Sequence, residues 1–273
     1  MTEARVHDVQ PAIPGPPRYQ FARVIFALIA REMATRYSRG SGGYLWAVVT
    51  PSLQIFVMSF VFALMFRTPS LGSSFILFYT TGYLPFHMYH SIQLDVMGAV
   101  KYNRSLMQFP AVTPLDAILS RTILAFLTHI VITTVILTGA ILSTDTPINL
   151  DLAKMSQAML TAAFLGLGVG ALNCVIIAFV PTWERLWIIM TTPLFIISAI
   201  LFLYEEAPPV FQAMLWYNPL VHVTATMRAG VFGAYQAAFV ELIYVWAIAS
   251  VAAIVGLYMA RRHRSHLVNP RYR

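Results

Sequence analysis

Residues Tyr44–Phe66 read YLWAVVTPSLQIFVMSFVFALMF, a charge-free run of 23 residues bounded by Arg36 and Arg39 before it and Arg67 after it. At about 1.5 Å rise per residue, a helix of that length crosses a hydrocarbon core about 30 Å thick. Five more windows of similar length and character follow: Phe75–Val96, Ile123–Leu142, Met159–Val180, Leu186–Leu203 and Phe239–Ala260. Six crossings return the chain to the side on which it began. In that layout only Arg67, Lys154 and Arg228 of the 18 Lys and Arg residues fall on the far side, so the positive-inside rule puts both termini in the cytoplasm. A composition 58% hydrophobic and 11% charged excludes an ordinary soluble enzyme. The net charge of +7 is concentrated beside the spans, where anionic lipid headgroups rather than nucleic acid are its natural counterpart. A lone cysteine, Cys174, excludes an intramolecular disulfide and a cysteine-based metal site.

Three segments depart from plain spans. The stretch through Arg18 is polar, carries Pro11, Pro14, Pro16 and Pro17, and lacks the apolar core of a secretory signal peptide. Phe21, Val24, Ile25, Leu28 and Ile29 then recur at helical spacing, which predicts an amphipathic helix lying in the cytoplasmic interface. Glu32 interrupts that stripe; it either pairs with Arg36 one turn on or marks where the helix lifts off the membrane. Between Val100 and Arg121, the run from Lys101 to Pro110 has room for about two or three turns of cytoplasmic helix before Pro110 and Pro114 end it. Leu106, Met107 and Phe109 stand in water there unless a partner or the loop itself covers them. The outer segment Tyr204–Gln236 holds two apolar runs, Val210–Leu215 and Val221–Phe232, broken by Pro208, Pro209, Pro219 and Gly230 and too short to cross. Such runs read as re-entrant or interfacial helices, and Trp216, Tyr217, Asn218, Pro219 and His222 form a candidate outer gate.

The chemistry is sparse. Neither of the two lysines, Lys101 and Lys154, follows a glycine, so the chain has no phosphate-cradling P-loop and any ATP must be hydrolysed elsewhere. No Asp, Glu, Lys or Arg lies deep in a span, which argues against a proton or sodium relay. His87 and His90 lack a third ligand and read as a polar helix face bonded to Gln93 or Ser91, so no metal site and no catalytic residue is assigned. Gly166, Gly168 and Ala171 match a dinucleotide fingerprint only formally; Gly166 and Gly170 instead form a face for close helix packing. Trp183, Trp187, Trp216, Tyr217, Tyr235 and Trp246 read as interfacial belts. Phe56 and Phe60, with Gln54 and Ser59 beside them, either line a conduit for sugar rings or face lipid and neighbouring helices. Glu205 and Glu206 read as a solvated loop.

Arg31, Glu32, Thr35, Arg36 and Tyr37, followed by Gly43, Tyr44, Leu45, Trp46 and Pro51, resemble the N-terminal motif of polysaccharide-export ABC-transporter permeases. Asn103, Leu106, Met107, Pro110 and Pro114 are similar to the cytoplasmic coupling segment of that family. Trp183, Glu184 and Arg185, with Asn218, Pro219, Leu220, Val221, His222, Met227 and Arg228, resemble the capsule-exporting KpsM type in particular. The resemblance covers roughly Phe21–Arg264.

It implies an all-α polytopic membrane protein with six transmembrane helices, an N-terminal interfacial amphipathic helix, a coupling helix between spans two and three, and short re-entrant helices before span six. The permease domain would occupy residues 21–264, between a disordered cytoplasmic tail over 1–20 and a C-terminal tail over 265–273. Such a subunit works as a homodimer in the bacterial inner membrane with a separate nucleotide-binding ATPase subunit, which binds the ATP and Mg; this chain needs no cofactor. It exports lipid-linked capsular polysaccharide to the periplasm, where a co-polymerase and an outer-membrane export protein continue the path. Mapped onto this sequence, the coupling contacts are Asn103, Arg104, Leu106, Met107, Gln108, Phe109, Pro110, Glu184 and Arg185. Arg31, Arg36 and Arg39 form a portal for an anionic lipid linker. O-antigen or teichoic-acid export, and less closely drug or small-lipid export, share the architecture.

Overall fold

The computed structural model describes residues 20–37, 42–108, 112–144 and 148–268, and every regular element among them is helical. α1 (Gln20–Tyr37) precedes α2 (Gly43–Met65) and α3 (Phe75–Met97). α4 (Ala99–Asn103) and one 3-10 turn at Leu106–Gln108 lead into α5 (Pro114–Leu142), α6 (Leu152–Phe179) and α7 (Trp183–Ile197). α8 (Pro209–Leu215) and α9 (Pro219–Val231) come before α10 (Leu242–Arg262) and α11 (Arg264–Val268). The proline-rich tail lies outside the described residues.

α2, α5, α6 and α10 are long and apolar enough to cross a membrane. α5 and α6 both begin well before their apolar windows because polar caps start them. Thr113 and Asp116 form a reciprocal capping box ahead of α5, and the Asp151 carboxylate accepts from the amides of Ala153 and Lys154 at the head of α6. The other two predicted spans depart from the expectation in opposite ways. α3 has the length, 23 residues, but carries Thr80, Thr81, His87, His90 and Gln93. It sits against α5, α6 and α9, which shield it, and a shielded helix has no need of lipid-like side chains. α7 ends at Ile197 after 15 residues rather than at Leu203.

α6 is the hub. A Cβ added at Gly166 or Gly170 would lie 2.9 Å from the Tyr89 carbonyl or 2.7 Å from Val96 Cβ, so this face of α6 is seated directly on α3. On another face Gly168 meets α10, where Gly256 returns the close approach. α2, by contrast, is peripheral: only Pro51, Ile55 and Ser59 are buried, and Phe56, Phe60 and Leu64 are exposed.

α1 packs along α5, with Leu28 buried and Val24, Ile25 and Ile29 half-buried. Glu32 pairs with Arg121 of α5 at 2.6 Å; its other expected partner, Arg36, has its side chain outside the described residues. The acid therefore extends the buried stripe instead of lifting the helix away. Glu32→Gln should loosen α1 alone: amide exchange across Gln20–Tyr37 is expected to rise roughly thirty-fold while α6 is unchanged. Equal exchange in the two proteins would mean that the apolar stripe suffices. At the far end of the chain α11 straddles the expected start of the C-terminal tail, and its Leu267 is packed into the core.

Candidate functional site

Two regions bring sequence-predicted residues together, one at each end of the bundle. The first surrounds α4. The expected helix of two or three turns is only the five residues of α4 and the 3-10 turn, because Asn103 folds inward and its side-chain amide donates to the Ala99 carbonyl at 3.0 Å. Met107 is buried in the hydrophobic core and Leu106 is half-buried, so the loop packs on itself here, while Gln108 and Tyr102 are exposed. Phe109 and Pro110 lie outside the described residues.

This segment is wired to three helices. Arg31 of α1 donates to Asn103 Oδ1 at 3.2 Å, which joins a residue expected at the portal to one expected in the coupling segment. Lys101 donates to both carboxylate oxygens of Glu184, at 3.1 and 2.9 Å, tying α4 to the head of α7. The hydrogen bond to Glu184 holds the Lys101 ammonium above its usual pKa. Arg121 of α5 binds Glu32, donates to the Asp95 carbonyl at 3.1 Å and stacks 4.7 Å from the centre of the Tyr102 ring. Sequence reading counted Arg121 only among the basic residues of its loop. Glu32 on an apolar stripe was the signal that such a partner had to exist. Arg104 is half-buried, Arg185 is exposed beside Glu184, and Arg39 lies outside the described residues.

The tryptophans beside this region are more than a belt. Trp183 donates to Asn173 of α6 at 2.8 Å, and Trp187 donates to Gln93 of α3 at 2.7 Å. Gln93 gives its Oε1 to Trp187, and its Nε2 reaches neither His87 nor His90. His87 instead stacks on Tyr83 and lies tilted against His129, with ring centres 5.2 and 5.0 Å away, and His90 stacks on Phe86.

Along α2, the aromatic pair opens onto a groove of about 440 Å³ lined by Phe56, Ser59, Phe60, Phe75, Ser143 and Thr144, among others. Both rings are exposed and flanked by the hydroxyls of Ser73 and Ser74 just before α3 and of Ser143 and Thr144 just after α5, so three of the four suspected lining residues line one groove. The fourth, Gln54, accepts from the Tyr83 hydroxyl at 2.8 Å and belongs to the α2–α3 contact.

The second region explains why α7 is short. Past Ile197 the chain unwinds, with Ala199 in the left-handed region at φ 54°, and its carbonyls have no helical donors. α9 supplies them from one face. Asn218 Nδ2 donates to Ile197 O at 2.9 Å while its Oδ1 accepts the Leu220 amide, so one side chain caps two helices. Thr224 donates to Ser198 O at 3.1 Å. The Arg228 guanidinium donates to the carbonyls of Ala199, Ile200 and Phe202 at 2.7, 2.7 and 2.9 Å. Arg228 is 1% exposed, lies over the Phe78 ring, and fits because Gly82 has no Cβ, which would be 2.9 Å from its Nη2.

α9 is therefore a buried helix against α3 and α6, with all its residues after Pro219 enclosed, whereas Val210, Phe211 and Met214 leave α8 exposed. His222 accepts the Glu241 amide at Nδ1, which leaves its Nε2–H to donate to the Trp216 carbonyl at 2.8 Å. Trp216 stacks on Tyr244, whose hydroxyl donates to the carbonyl of exposed Tyr217, and Pro219 occupies the first turn of α9. Glu205 and Glu206 are exposed as read, and they also bind the Tyr235 and Ser70 hydroxyls.

Comparison with known proteins places the same regions in context. The polysialic acid transport protein KpsM of Escherichia coli is 28% identical over 238 residues, spanning 86% of this chain and 91% of that protein. The capsule polysaccharide export inner-membrane protein CtrC of Neisseria meningitidis serogroup B is 29% identical over 240 residues, 88% and 91% of the two chains. For the capsule polysaccharide export inner-membrane protein BexB of Haemophilus influenzae the figures are 27% over 244 residues, 88% and 90%. Residues 23–232, from α1 through the buried α9, match the family described as ABC-2 type transporter, and the chain belongs to that family.

Proposed function

We propose that this chain is the permease subunit of an ATP-driven exporter that moves lipid-linked capsular polysaccharide from cytoplasm to periplasm. The observation that carries the reading is the similarity to three capsule-export proteins along nearly their whole length. In this reading both termini are cytoplasmic, α3 and α7 complete a set of six crossings in the inner membrane, and two copies of the chain pair. A separate ATPase subunit binds ATP and Mg and presses on the α4 region. The bonds Lys101–Glu184, Arg31–Asn103 and Arg121–Glu32 would carry that push to α7, α1 and α5 together. Arg31, Arg36 and Arg39 attract the anionic linker, and the exposed rings of Phe56 and Phe60 give weak, repeated contacts to sugar faces. The block from Trp216 to His222 forms the outer gate, held to α7 through Asn218. A periplasmic co-polymerase and an outer-membrane protein receive the polymer.

The test is reconstitution in proteoliposomes with and without a partner ATPase subunit. ATP-dependent movement of labelled glycolipid should require both subunits, and nucleotide hydrolysis or proton-driven transport by this chain alone overturns the reading. In the same assay Phe56→Ala with Phe60→Ala should slow export roughly ten-fold with the complex intact. Unaltered export would return these rings to the lipid.

A further inference from the structure

A second cavity, of about 430 Å³, opens between α4, the end of α6, the head of α7 and α11. Its floor is apolar, built from Met97, Val100, Cys174, Ile177 and Leu267, and its rim carries Lys101, Arg104, His266 and a single acid, Glu184. The volume falls within the roughly 300–1,000 Å³ typical of ligand sites. The rim stands where α3 and α6 end; in the proposed six-crossing layout, on which this site rests, that is the level at which hydrocarbon gives way to headgroups. The geometry points to a binding site for an anionic phospholipid, its phosphate on the basic rim and one acyl chain over the apolar floor. Basic pockets between membrane helices at this depth recognise such headgroups, and an amphiphile matches both the charge and the greasy interior.

The site lies apart from the Arg31 portal and concerns a resident lipid rather than the cargo. It also has a mechanical consequence. Lys101 and Glu184 have side chains 58% and 33% exposed, so their bond is open to competition. A phosphate that takes Lys101 frees Glu184, and with it the head of α7, from α4. Lipid occupancy would thereby set how firmly those two elements move together.

Binding can be read without polysaccharide, nucleotide or a partner, so its failure is distinct from failure of the export reading. Full-length chain is stripped of lipid, titrated with dioleoyl phosphatidylglycerol or dioleoyl phosphatidylcholine, and followed by native mass spectrometry. The anionic lipid should be retained roughly ten-fold better. Lys101→Gln with Arg104→Gln should erase the preference, whereas Arg23→Gln, exposed on α1, should keep it. Ala178→Phe, which fills the cavity without changing charge, should lower retention of phosphatidylglycerol; if that variant misfolds, the Lys101/Arg104 pair carries the test. Equal retention of the two lipids, or an undiminished preference in the double variant, overturns the proposal. Displacement of the lipid by excess glycerol phosphate also overturns it, in favour of a soluble phosphate as the ligand.

Discussion

Arg228→Met should lower the stability of the purified protein by about 3 kcal/mol, seen as a large fall in melting temperature in detergent. The side chain keeps its bulk in this variant but loses three donors, so the carbonyls of Ala199, Ile200 and Phe202 are left in a buried place without partners. Each costs about 1–3 kcal/mol. Against that, burying the guanidinium is itself costly, since no ion pair to it exists among the described residues, and its removal recovers part of the loss. The carbonyl deficit wins because three acceptors are stranded at once. Arg228→Lys keeps the charge but cannot fork across residues 199, 200 and 202, so it should fall between the two. A melting curve for Arg228→Met that overlies the parent would mean that water reaches these carbonyls.

The second large effect is expected where α6 meets α10. A Cβ on Gly168 would lie 2.6 Å from the Ala249 carbonyl, and one on Gly256 would lie 2.6 Å from the Leu172 amide nitrogen. Both obstacles are backbone, which cannot rotate aside as a side chain does. Gly168→Val and Gly256→Val should each cost about 3 kcal/mol or more by forcing the helices apart, with the product recovered as aggregate in size-exclusion chromatography. Gly139→Val is the control, because nothing lies within 4 Å of its Cβ position. Monodisperse Gly168→Val protein would show that α10 can shift without losing the fold.

The helical architecture was legible because apolar length is a direct reading of what lipid demands: four of the six windows lie on helices long and apolar enough to cross, and the other two on the more polar α3 and the shorter α7. What hydropathy does not carry is the polar logic between helices. α3 looks less like a span than α2 although it is far more enclosed, since its hydroxyls and rings face protein. The end of α7 was misplaced by the same blindness: Ser198 to Leu203 is apolar enough to extend a span, yet side chains from α9 replace the helical donors there. One signal was present. An arginine inside the apolar run Val221–Phe232 is too costly to be incidental, and counting it as an outer-loop charge hid its role. Around α4, Asn103 and Glu184 were singled out by the resemblance, but their hydrogen-bond partners Arg31 and Lys101 lie 72 and 83 residues away in sequence, which spacing alone does not connect.

The shortness of α7 bears on how the chain is made. Its 15 residues reach only about 22 Å, less than the thickness of a bilayer core, and the unwound residues after it expose bare carbonyls until Arg228 has been synthesised. A nascent chain stopped between Leu203 and Arg228 therefore holds a segment that lipid does not accept on its own. Under the proposed six-crossing layout, insertion of α7 would have to wait for α9, and the two would leave the translocon as a pair.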